Sequence, residues 1–361
     1  MPQYHPTPEN DEWWGKGFTE WTNVTKAIPL IPGHYQPHLP ADLGFYDLRL
    51  PEARLAQGEL AREYGINGFV YYHYWFNGRR VLDRPVREIL QSGEPDFPFC
   101  LCWANEDWTR AWDGDSGHRL LHQEYSQGDD LAHIRHLLPY LADKRYIRID
   151  NRPLLLVYRT EELPDAGKTA EIWRNEAIRS GLGDLYLASV ESFVSDVDPK
   201  TIGFDAAVEF APDWRKLQSI PMTRLWRYAS RLGLLSKGWV EHNWTDYETL
   251  VKNMLAKQEP GYRRFRCVTP GFDNSPRRAK GATIILNSTP QAYGRWLEDV
   301  IRRESLLGSP PDQQIVFVNA WNEWGEGNHL EPDQKWGRAY LEATLAARNT
   351  PARLAVIDSK K

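Results

Sequence analysis

The sequence predicts an α/β fold, a single (β/α)8 barrel of the TIM type with loop insertions. Two observations lead to this prediction. Short, continuous apolar runs alternate with amphipathic helical patterns along the chain, and seven such runs can be counted where one barrel needs eight strands. The chain has 361 residues, enough to bury the core of one such barrel. We therefore expect one domain over residues 1–361, with a basic insert at about residues 214–264.

The predicted strands are continuous apolar runs, because parallel strands buried on both faces carry no apolar–polar alternation. They cover residues 68–74, 97–105, 153–159, 185–190, 206–210, 265–269 and 315–319. Four amphipathic segments between them are predicted helices, at residues 54–64, 131–141, 169–180 and 293–304. Residues 1–5 are interpreted as the tail of a truncated first strand. We expect the true reading frame to start further upstream and to add apolar residues of strand length.

Charge and cysteine content disfavour several classes of protein. The net charge of -5, with both signs mixed, argues against nucleic-acid binding, which usually needs a basic excess. Cys100, Cys102 and Cys267 fit neither a disulfide framework nor a CxxC zinc pattern, and we expect them to be reduced core residues. The sequence shows no basic leader followed by an apolar run and no stretch long enough to span a membrane, which favours a cytoplasmic protein.

Polar and aromatic side chains follow most of the predicted strands. In (β/α) barrels the chemistry lies at the carboxyl ends of the strands, so these residues are candidates for substrate binding. The candidates are His73, Tyr74, Trp75, Trp103, Asn105, Glu106, Tyr158, Glu191 and Asp273. Together with 16 tryptophans and 17 tyrosines, they predict an aromatic-lined carbohydrate cleft. Two alternatives stay open, since His73 can be a satisfied core histidine and Asp273 can stabilise a turn.

Two carboxylates lie close together after the last predicted strand. Glu323 and Glu326 are three residues apart within the segment 319–332. Cleavage of a glycosidic bond needs one carboxyl group that protonates the leaving oxygen and a second that makes or unmasks the nucleophile. Trp321, Asn322 and Trp324 flank the pair and are further candidates for sugar contact. The segment therefore predicts the catalytic residues of an enzyme that acts on sugars.

The surroundings of this carboxylate pair predict different roles for its two members. Mutual repulsion and burial beside tryptophans should raise one of the two pKa values enough to keep that group protonated near neutrality. The alternative is purely structural. In that case one glutamate would cap a helix that begins near Gly327, and the other would pair with an arginine such as Arg338.

Five blocks of the sequence resemble the WbsX-type glycosyltransferase family of bacterial polysaccharide clusters, which is related to the glycoside hydrolase family 99 endo-α-mannosidases. The blocks lie at residues 4–15, 17–21, 72–76, 102–106 and 319–324, so the resemblance runs over nearly the whole chain. In the second block, Glu20 and Trp21 are candidates for sugar contact. A surface salt bridge is an equally good interpretation of Glu20.

The resemblance also implies a role for each glutamate. Glu323 would act as a base on the 2-hydroxyl of the sugar, which attacks the anomeric carbon and forms a 1,2-anhydro intermediate. Glu326 would serve as general acid and then as base, and configuration would be retained. This chemistry requires a 2-hydroxyl trans to the leaving group, as in an α-mannose-like substrate. The sequence departs from the mannosidases at Gly325, where they carry a histidine.

We expect the substrate to be an oligosaccharide or polysaccharide in bacterial cell-surface metabolism, such as lipopolysaccharide O-antigen or capsule. One alternative is a glycosyltransferase of O-antigen assembly, and another is a non-catalytic glycan-binding barrel. The sequence lacks the GxSxG, HExxH and GxxxxGK[ST] motifs. It therefore predicts neither a metal nor a cofactor.

The predicted insert is strongly basic over residues 214–240, which contain no Asp or Glu. Leucines and tryptophans alternate there with Arg215, Lys216, Arg224, Arg227, Arg231 and Lys237. The simpler prediction is a lid helix packed on the barrel with a solvated face. The alternative is a surface that docks on an anionic lipid-linked saccharide or on the inner membrane, which would make the protein peripheral to that membrane.

Overall fold

The computed structural model describes residues 4–110 and 115–350, which form a mixed α/β fold. The helices are α1 (Pro8–Trp14), α2 (Glu20–Lys26), α3 (Pro51–Glu63), α4 (Arg84–Ser92), α5 (Gln127–Leu141), α6 (Ala166–Arg179), α7 (Arg224–Arg231), α8 (Gly238–Glu241), α9 (Tyr247–Leu255), α10 (Pro290–Leu306) and α11 (Ala339–Asn349). The strands are β1 (Phe69–Phe76), β2 (Arg79–Val81), β3 (Phe99–Trp103), β4 (Trp108–Arg110), β5 (Asp115–Leu121), β6 (Arg148–Ile149), β7 (Arg152–Val157), β8 (Tyr186–Glu191), β9 (Ala206–Glu209), β10 (Asn243–Asp246), β11 (Arg264–Val268), β12 (Thr283–Leu286), β13 (Val316–Val318), β14 (Asn322–Glu323) and β15 (Asn328–His329).

Seven strands form the parallel part of the main sheet. Their order is β1, β3, β7, β8, β9, β11 and β13, and each pairs in parallel with the next. All residues of β3, β8, β9 and β11 are buried, as expected for parallel strands covered on both faces; β3 is wholly apolar, whereas β11 also buries Arg264 and Arg266. The seven predicted strands are thereby confirmed, although their ends differ from the predicted ends by a few residues.

The sheet curls, and its outer parallel strands β1 and β13 approach each other without pairing. The ring of Trp321, shortly after β13, lies 5.1 Å from the ring of Phe69 in β1. Within the described residues no ladder joins the two strands. Residues 1–3 of the predicted truncated strand lie outside the described residues, and Tyr4 and His5 are not in a strand. The barrel prediction is confirmed as a curled parallel sheet, but the described residues do not form a closed eight-stranded barrel.

A cavity of about 730 Å³ lies against the inner face of the curled sheet. Side chains from successive strands line it, among them Tyr72, Cys102, Leu156 and Val190. The same cavity borders β1 and β13, which do not pair with each other, and extends to Glu323. Layers of inward side chains fill the interior of a closed barrel. We therefore interpret the cavity as core space beside the open edge of the sheet, and place the polar site at the strand ends.

Helices with capped ends cover the outer face of the sheet. The Ser126 side chain accepts a hydrogen bond from the Asp129 amide at the start of α5, and Thr289 caps α10, which has Pro290 in its first turn. Helices α5 and α6 pack together, as do α10 and α11. The four predicted helices are confirmed as α3, α5, α6 and α10. Each begins about one turn earlier than predicted, because its first turn carries no apolar pattern.

The insert contains α7, α8, β10 and α9, and it is attached by a second, two-stranded sheet. Strand β10 pairs in parallel with β12, which follows β11 in the chain. Trp244 of β10, Ile284 of β12 and Ile31 belong to a small apolar cluster of their own. The base of the insert is therefore anchored by apolar contacts.

Cys100, Cys102 and Cys267 are buried and unpaired, as predicted. Burial raises the pKa of each thiol and so disfavours the reactive thiolate. Throughout the part of the chain that the structure describes, no helix is both long and apolar enough to cross a bilayer.

We predict that Gly68→Ala destabilises the fold by about 1–3 kcal/mol, because a tight site does not accept an extra methyl group. A Cβ at Gly68 would lie 2.9 Å from the backbone oxygen of Pro98 and 2.9 Å from Cδ1 of Ile147. Urea unfolding measures the change. Gly261→Ala is the control, because a Cβ at that position meets no atom within 4 Å. Equal stability of the two variants would contradict the prediction.

Candidate active site

The chain after β13 folds into a small hairpin that presents both glutamates. Strands β14 and β15 pair Asn322 with His329 and Glu323 with Asn328. A 3-10 turn, Trp324–Glu326, forms the tip. The hydroxyl of Tyr4 donates to the Asn322 carbonyl and accepts from the Trp324 amide at 3.1 Å, so the N-terminal segment holds this hairpin.

A single guanidinium joins three carboxylates at this hairpin. Arg277 Nη1 lies 2.6 Å from Glu326 Oε1, and Nη2 lies 3.1 Å from Glu323 Oε2. Its Nε donates to Glu20 Oε1 at 3.0 Å, and Nη2 donates to Glu20 Oε2 at 3.1 Å. Arg277 comes from the loop after β11, and Glu20 is the first residue of α2. Arg277 is not among the predicted site residues, and the two predicted catalytic glutamates meet at its side chain.

The pKa of Glu326 suits acid–base chemistry near neutral pH. Burial raises the pKa of Glu326 most, Arg277 lowers it, and the charges of Glu323 and Glu20 raise it again, to about 7. Burial alone would lower the pKa of Arg277. The three carboxylates raise it by more, so this pKa lies well above its usual value. The Glu326 side chain keeps 28% of its surface exposed, whereas that of Glu20 is fully buried. Glu326 is therefore reachable from solvent and half-protonated near neutral pH.

Gly325 is required by the packing of this cluster. A Cβ at Gly325 would lie 1.8 Å from Glu20 Oε1 and 2.8 Å from Arg277 Nε. No side chain fits there without displacing the Glu20 carboxylate. The departure from the mannosidase pattern is thus explained, because the Glu20–Arg277 ion pair occupies the space that a larger residue would need.

The structural interpretation of the two glutamates holds only in part, because both pair with an arginine, Arg277, but neither caps a helix. Gly327 follows the turn with a φ of +54°, and no helix begins there. Arg338 pairs instead with Asp42 at 2.6 Å and with Glu63 at 3.3 Å.

A second buried carboxyl group lies beneath the hairpin. Glu331 accepts hydrogen bonds from Tyr46 at 2.7 Å, Gln57 at 2.7 Å and Trp324 at 2.8 Å. Burial raises its pKa to about 7, although these hydrogen bonds oppose the shift. The indole of Trp324 is buried, and Trp21 packs on it at 5.8 Å. These two predicted sugar-contact tryptophans therefore lie inside the protein and support the hairpin.

Asn322 and Trp321, two further residues of the segment 319–332, contact side chains elsewhere in the fold. Asn322 donates to the Tyr46 hydroxyl at 3.0 Å, and Trp321 packs on Phe69 of β1. Both therefore connect the hairpin with the rest of the fold.

Three predicted binding residues point away from the site. His73, Trp75 and Trp103 face the helices on the outer side of the sheet, where all three contact His133 of α5. His73 Nε2 lies 3.0 Å from His133 Nε2, and Trp75 donates to Asp129. Burial lowers the pKa of His73 to about 3, so the ring is neutral. The core alternative for His73 is the one that the structure supports.

Asn105 and Glu106 are both bound to Arg159. Asn105 exchanges two hydrogen bonds of 2.8 Å with the Arg159 backbone, and Glu106 accepts from its guanidinium at 2.8 Å. Asn105 is buried, whereas the Glu106 side chain keeps 39% of its surface exposed. Of the two, only Glu106 is open to a ligand.

Glu191 and Asp273 are buried in polar networks. Glu191 accepts from Tyr262 at 2.6 Å. Asp273 accepts from His34 at 2.7 Å and from Gln36 at 2.6 Å, and these bonds hold its pKa below the usual value despite burial. The Asp273 amide donates to the Glu326 carbonyl, so this residue positions the turn from behind.

Inward-pointing tyrosines border the carboxylate cluster. Burial raises the pKa of Tyr74, and Glu323 raises it further; Tyr158 responds in the same way to burial, then to Glu106 and Glu326. One of their ring neighbours is Tyr72, which is not among the predicted binding residues. The ring of Tyr72 lies 5.9 Å from that of Tyr158. The period of two along β1 could have identified Tyr72, since it shares a face with Tyr74.

An aromatic wall extends from Tyr74 away from the cluster. Trp108 lies 5.1 Å from Tyr74 and 6.0 Å from Trp13, measured between ring centroids. All three side chains are partly exposed. Partly exposed aromatic faces suit the apolar C–H side of a sugar ring. This wall, made of Tyr74, Trp108 and Trp13, is the aromatic surface that the composition predicted.

Comparisons with known proteins show the family of the chain. The sequence profile of the family described as Glycosyltransferase WbsX matches residues 1–344. Two curated relatives, both named uncharacterized protein WxcX and from two strains of Xanthomonas campestris pv. campestris, are 44% identical over 347 residues. The match covers 96% of this chain and 48% of each relative, so the chain spans about half the length of these relatives.

Solved structures show the same fold at low sequence identity. A protein titled glycoside hydrolase-like protein has a TM-score of 0.55 at 14% identity, over 86% of this chain and 89% of its own. The GH99 endo-α-mannosidase from Bacteroides thetaiotaomicron has a TM-score of 0.55 at 14% identity, over 96% of this chain and 95% of its own. At such identity the likeness concerns the fold alone.

We predict that Glu331→Gln makes the stability of the protein less dependent on pH. The folded pKa of Glu331, about 7, lies above its usual value of 4.5, so its stabilising contribution is complete below about pH 4.5 and is lost as the pH rises through 7. The loss amounts to roughly 3 kcal/mol. Gln resembles the protonated acid and carries no such loss. Urea unfolding at several pH values between 5 and 8 tests this.

Exposed Glu298 of α10 offers the matched control for this measurement. Glu298→Gln should leave the pH dependence of the wild type unchanged. Parallel stability curves for wild type and Glu331→Gln would contradict the prediction.

Proposed function

This chain belongs to the WbsX glycosyltransferase family, and on that premise we propose that it acts on glycosidic bonds with retention, using Glu323 and Glu326. The observation that carries the proposal is the pKa of about 7 at Glu326, whose side chain is partly exposed. The guanidinium of Arg277 contacts both Glu326 and Glu323. A carboxyl group with such a pKa can donate a proton and later accept one near neutral pH.

The proposed mechanism assigns one proton transfer to each glutamate. Glu323 removes the proton of the 2-hydroxyl of the sugar, and the 2-oxygen attacks the anomeric carbon. Glu326 protonates the leaving oxygen as its bond to that carbon breaks. Glu326 then removes a proton from the incoming hydroxyl, which opens the 1,2-anhydro ring at the anomeric carbon, and Glu323 returns its proton to the 2-oxygen. Two inversions give retention, and this chemistry requires a 2-hydroxyl trans to the leaving group, as in an α-mannose-like sugar.

The proposed substrate is a glycan of bacterial cell-surface polysaccharide metabolism, bound along the aromatic wall. Tyr74 of this wall is close enough to Glu323 for the carboxylate charge to raise its pKa. Trp108 and Trp13 continue the wall from there. A sugar chain stacked on these rings would run from the carboxylate pair along the surface of the protein.

The charge of the site favours a neutral leaving group over a phosphorylated one. Three carboxylates surround the single guanidinium of Arg277, so the cluster is negative even when Glu326 is protonated. A pyrophosphate leaving group would be repelled there. This observation favours a hydrolase or transglycosidase. The second candidate, a glycosyltransferase with a lipid-linked or nucleotide-linked donor, is favoured by the family description.

We predict that Glu326→Gln lowers the rate on natural oligosaccharides by about 10²–10⁴-fold, because general acid catalysis is lost. On aryl glycosides with good leaving groups the loss should be much smaller. Glu323→Gln should abolish turnover of both substrates, and a 2-deoxy substrate should not react with the wild type. Wild-type activity should fall as the pH rises through about 7, because Glu326 must be protonated. Product masses from α- and β-linked oligosaccharides provide the measurement.

Glu298→Gln serves again as the control with unchanged activity, because this side chain is exposed on α10. Transfer from a lipid-linked or nucleotide-linked donor, with no reaction on finished glycans, would favour the transferase. If glycans bind but nothing turns over, and Glu326→Gln changes no property except affinity, the protein is a glycan-binding barrel.

We further propose that the insert docks on an anionic lipid surface, on the cytoplasmic side of the inner membrane. Its exposed apolar side chains include Leu225, Tyr228, Leu232 and Leu234, with exposed fractions of 72%, 60%, 56% and 77%. The lid interpretation accounts for Trp226, Trp239 and Trp244, which pack on one another, but not for these four. No Asp or Glu lies between residues 214 and 240, so this face complements acidic headgroups.

We predict that the protein floats with vesicles that contain phosphatidylglycerol and not with vesicles of phosphatidylcholine alone. Binding should weaken with salt, because it depends on exposed charges. Replacing Leu225 and Leu234 by Ser should abolish it. The control variant replaces Leu306 and Leu307 by Ser, and these two residues are 64% and 56% exposed at the end of α10. This variant should bind the vesicles as the wild type does. The absence of vesicle binding at low salt would contradict this proposal.

A further inference from the structure

Three potential metal ligands converge behind the hairpin that carries Glu323 and Glu326. His38 Nδ1 lies 2.9 Å from His329 Nε2, and His329 Nε2 lies 3.9 Å from Asp333 Oδ2. One ligand atom from each residue lies within 4.8 Å of the other two. His329 and Asp333 are buried, and His38 is partly exposed. Two imidazoles and a carboxylate thus share one small space with a route to solvent.

Hydrogen bonds to neighbouring groups orient His329 and Asp333 toward this space. His329 Nδ1 lies 3.0 Å from the Glu331 carbonyl, which can only accept, so Nδ1 carries the proton and Nε2 presents a lone pair to the space. A ring N–H bound to a backbone carbonyl is the usual support of a metal-ligating histidine. Asp333 Oδ1 accepts from the amides of Lys335 at 3.0 Å and Trp336 at 2.6 Å, which turns Oδ2 toward the two rings.

We propose that His38, His329 and Asp333 bind a divalent transition-metal ion, with Zn²⁺ as the best fit. Imidazole nitrogen with one carboxylate oxygen is a ligand set that zinc favours, and tetrahedral zinc with bonds of about 2.0–2.1 Å spaces its ligand atoms about 3.3 Å apart. The observed separations of 2.9 Å and 3.9 Å bracket this spacing. A fourth position is left for water. Linear metal motifs do not reveal the site, because His38 and His329 are 291 positions apart.

The role of this ion is structural, and the inference does not depend on the proposed function. The His329 ring stacks on Trp324 at 3.8 Å with an interplanar angle of 15°. Trp324 is the first residue of the turn that carries Glu326. An ion shared by His38 and His329 would join the segment before α3 to β15, and so would fix the rear of the hairpin. We expect zinc to raise the melting temperature even of the Glu326→Gln variant.

Calorimetric titration of Zn²⁺ into the chelator-treated full chain tests the site. We expect one equivalent to bind with a dissociation constant in the micromolar range or below, and the melting temperature to rise on binding. His38→Ala and Asp333→Asn should each weaken binding at least tenfold. The Asp333→Asn variant keeps a side-chain oxygen for the Lys335 and Trp336 amides, so it is expected to fold; His38 is partly exposed and tolerates truncation. Mg²⁺ should not compete, because it prefers oxygen ligands.

His122 provides the control, because it is exposed and pairs with Asp107 at a different place in the fold. His122→Ala should bind Zn²⁺ as the wild type does. Two results would overturn the proposal. One is the absence of zinc uptake by the wild type at micromolar concentration, which would leave a histidine–histidine hydrogen bond as the whole interaction. The other is unchanged zinc affinity in both His38→Ala and Asp333→Asn.

Discussion

The ion pairs of Arg277 are the interaction on which the candidate site depends. This guanidinium joins α2, the loop after β11 and the hairpin after β13, and so brings Glu20, near the start of the chain, together with Glu323 and Glu326 near its end. Without it, Glu20, Glu323 and Glu326 would repel one another in a partly buried space, and a buried unpaired carboxylate is strongly destabilising. The same arginine keeps the pKa of Glu326 lower than burial alone would place it. One residue therefore holds the hairpin in place and adjusts its chemistry.

Support for the hairpin comes from behind as well as from Arg277. The hydroxyl of Tyr4 binds its backbone, Glu331 binds the Trp324 indole, and the Asp273 amide binds the Glu326 carbonyl. Most of these partners are aromatic or carboxylic side chains that are themselves buried. Many strand-end residues with suitable chemistry are likewise buried and contact other parts of the protein. They fix the position of a few exposed groups, which is what a preorganised active site requires.

The sequence predicts the parallel strands and the main helices well, because burial on both faces produces apolar runs that no loop resembles. It also places Glu323 and Glu326 in one short segment, and in the structure both side chains reach the guanidinium of Arg277. The sequence does not predict which face of the sheet a strand residue points to. His73 and Trp75 alternate with Tyr72 and Tyr74 along β1, and only the tyrosines point inward. Arg277 lies in a loop without any periodic pattern, so only the folded chain reveals that it reaches the carboxylates.

The absence of a side chain at Gly325 has a consequence for how this family diverges. Because Glu20 Oε1 occupies the place of a Cβ, any side chain at position 325 requires the Glu20 carboxylate and Arg277 to move. The three positions should therefore covary, and the order in which substitutions arise should matter. A chain with a side chain at position 325 and one with the Glu20–Arg277 pair in its present place would be separated by single mutants in which this ion pair is displaced. Epistasis between distant parts of the chain thus follows from one missing methyl group.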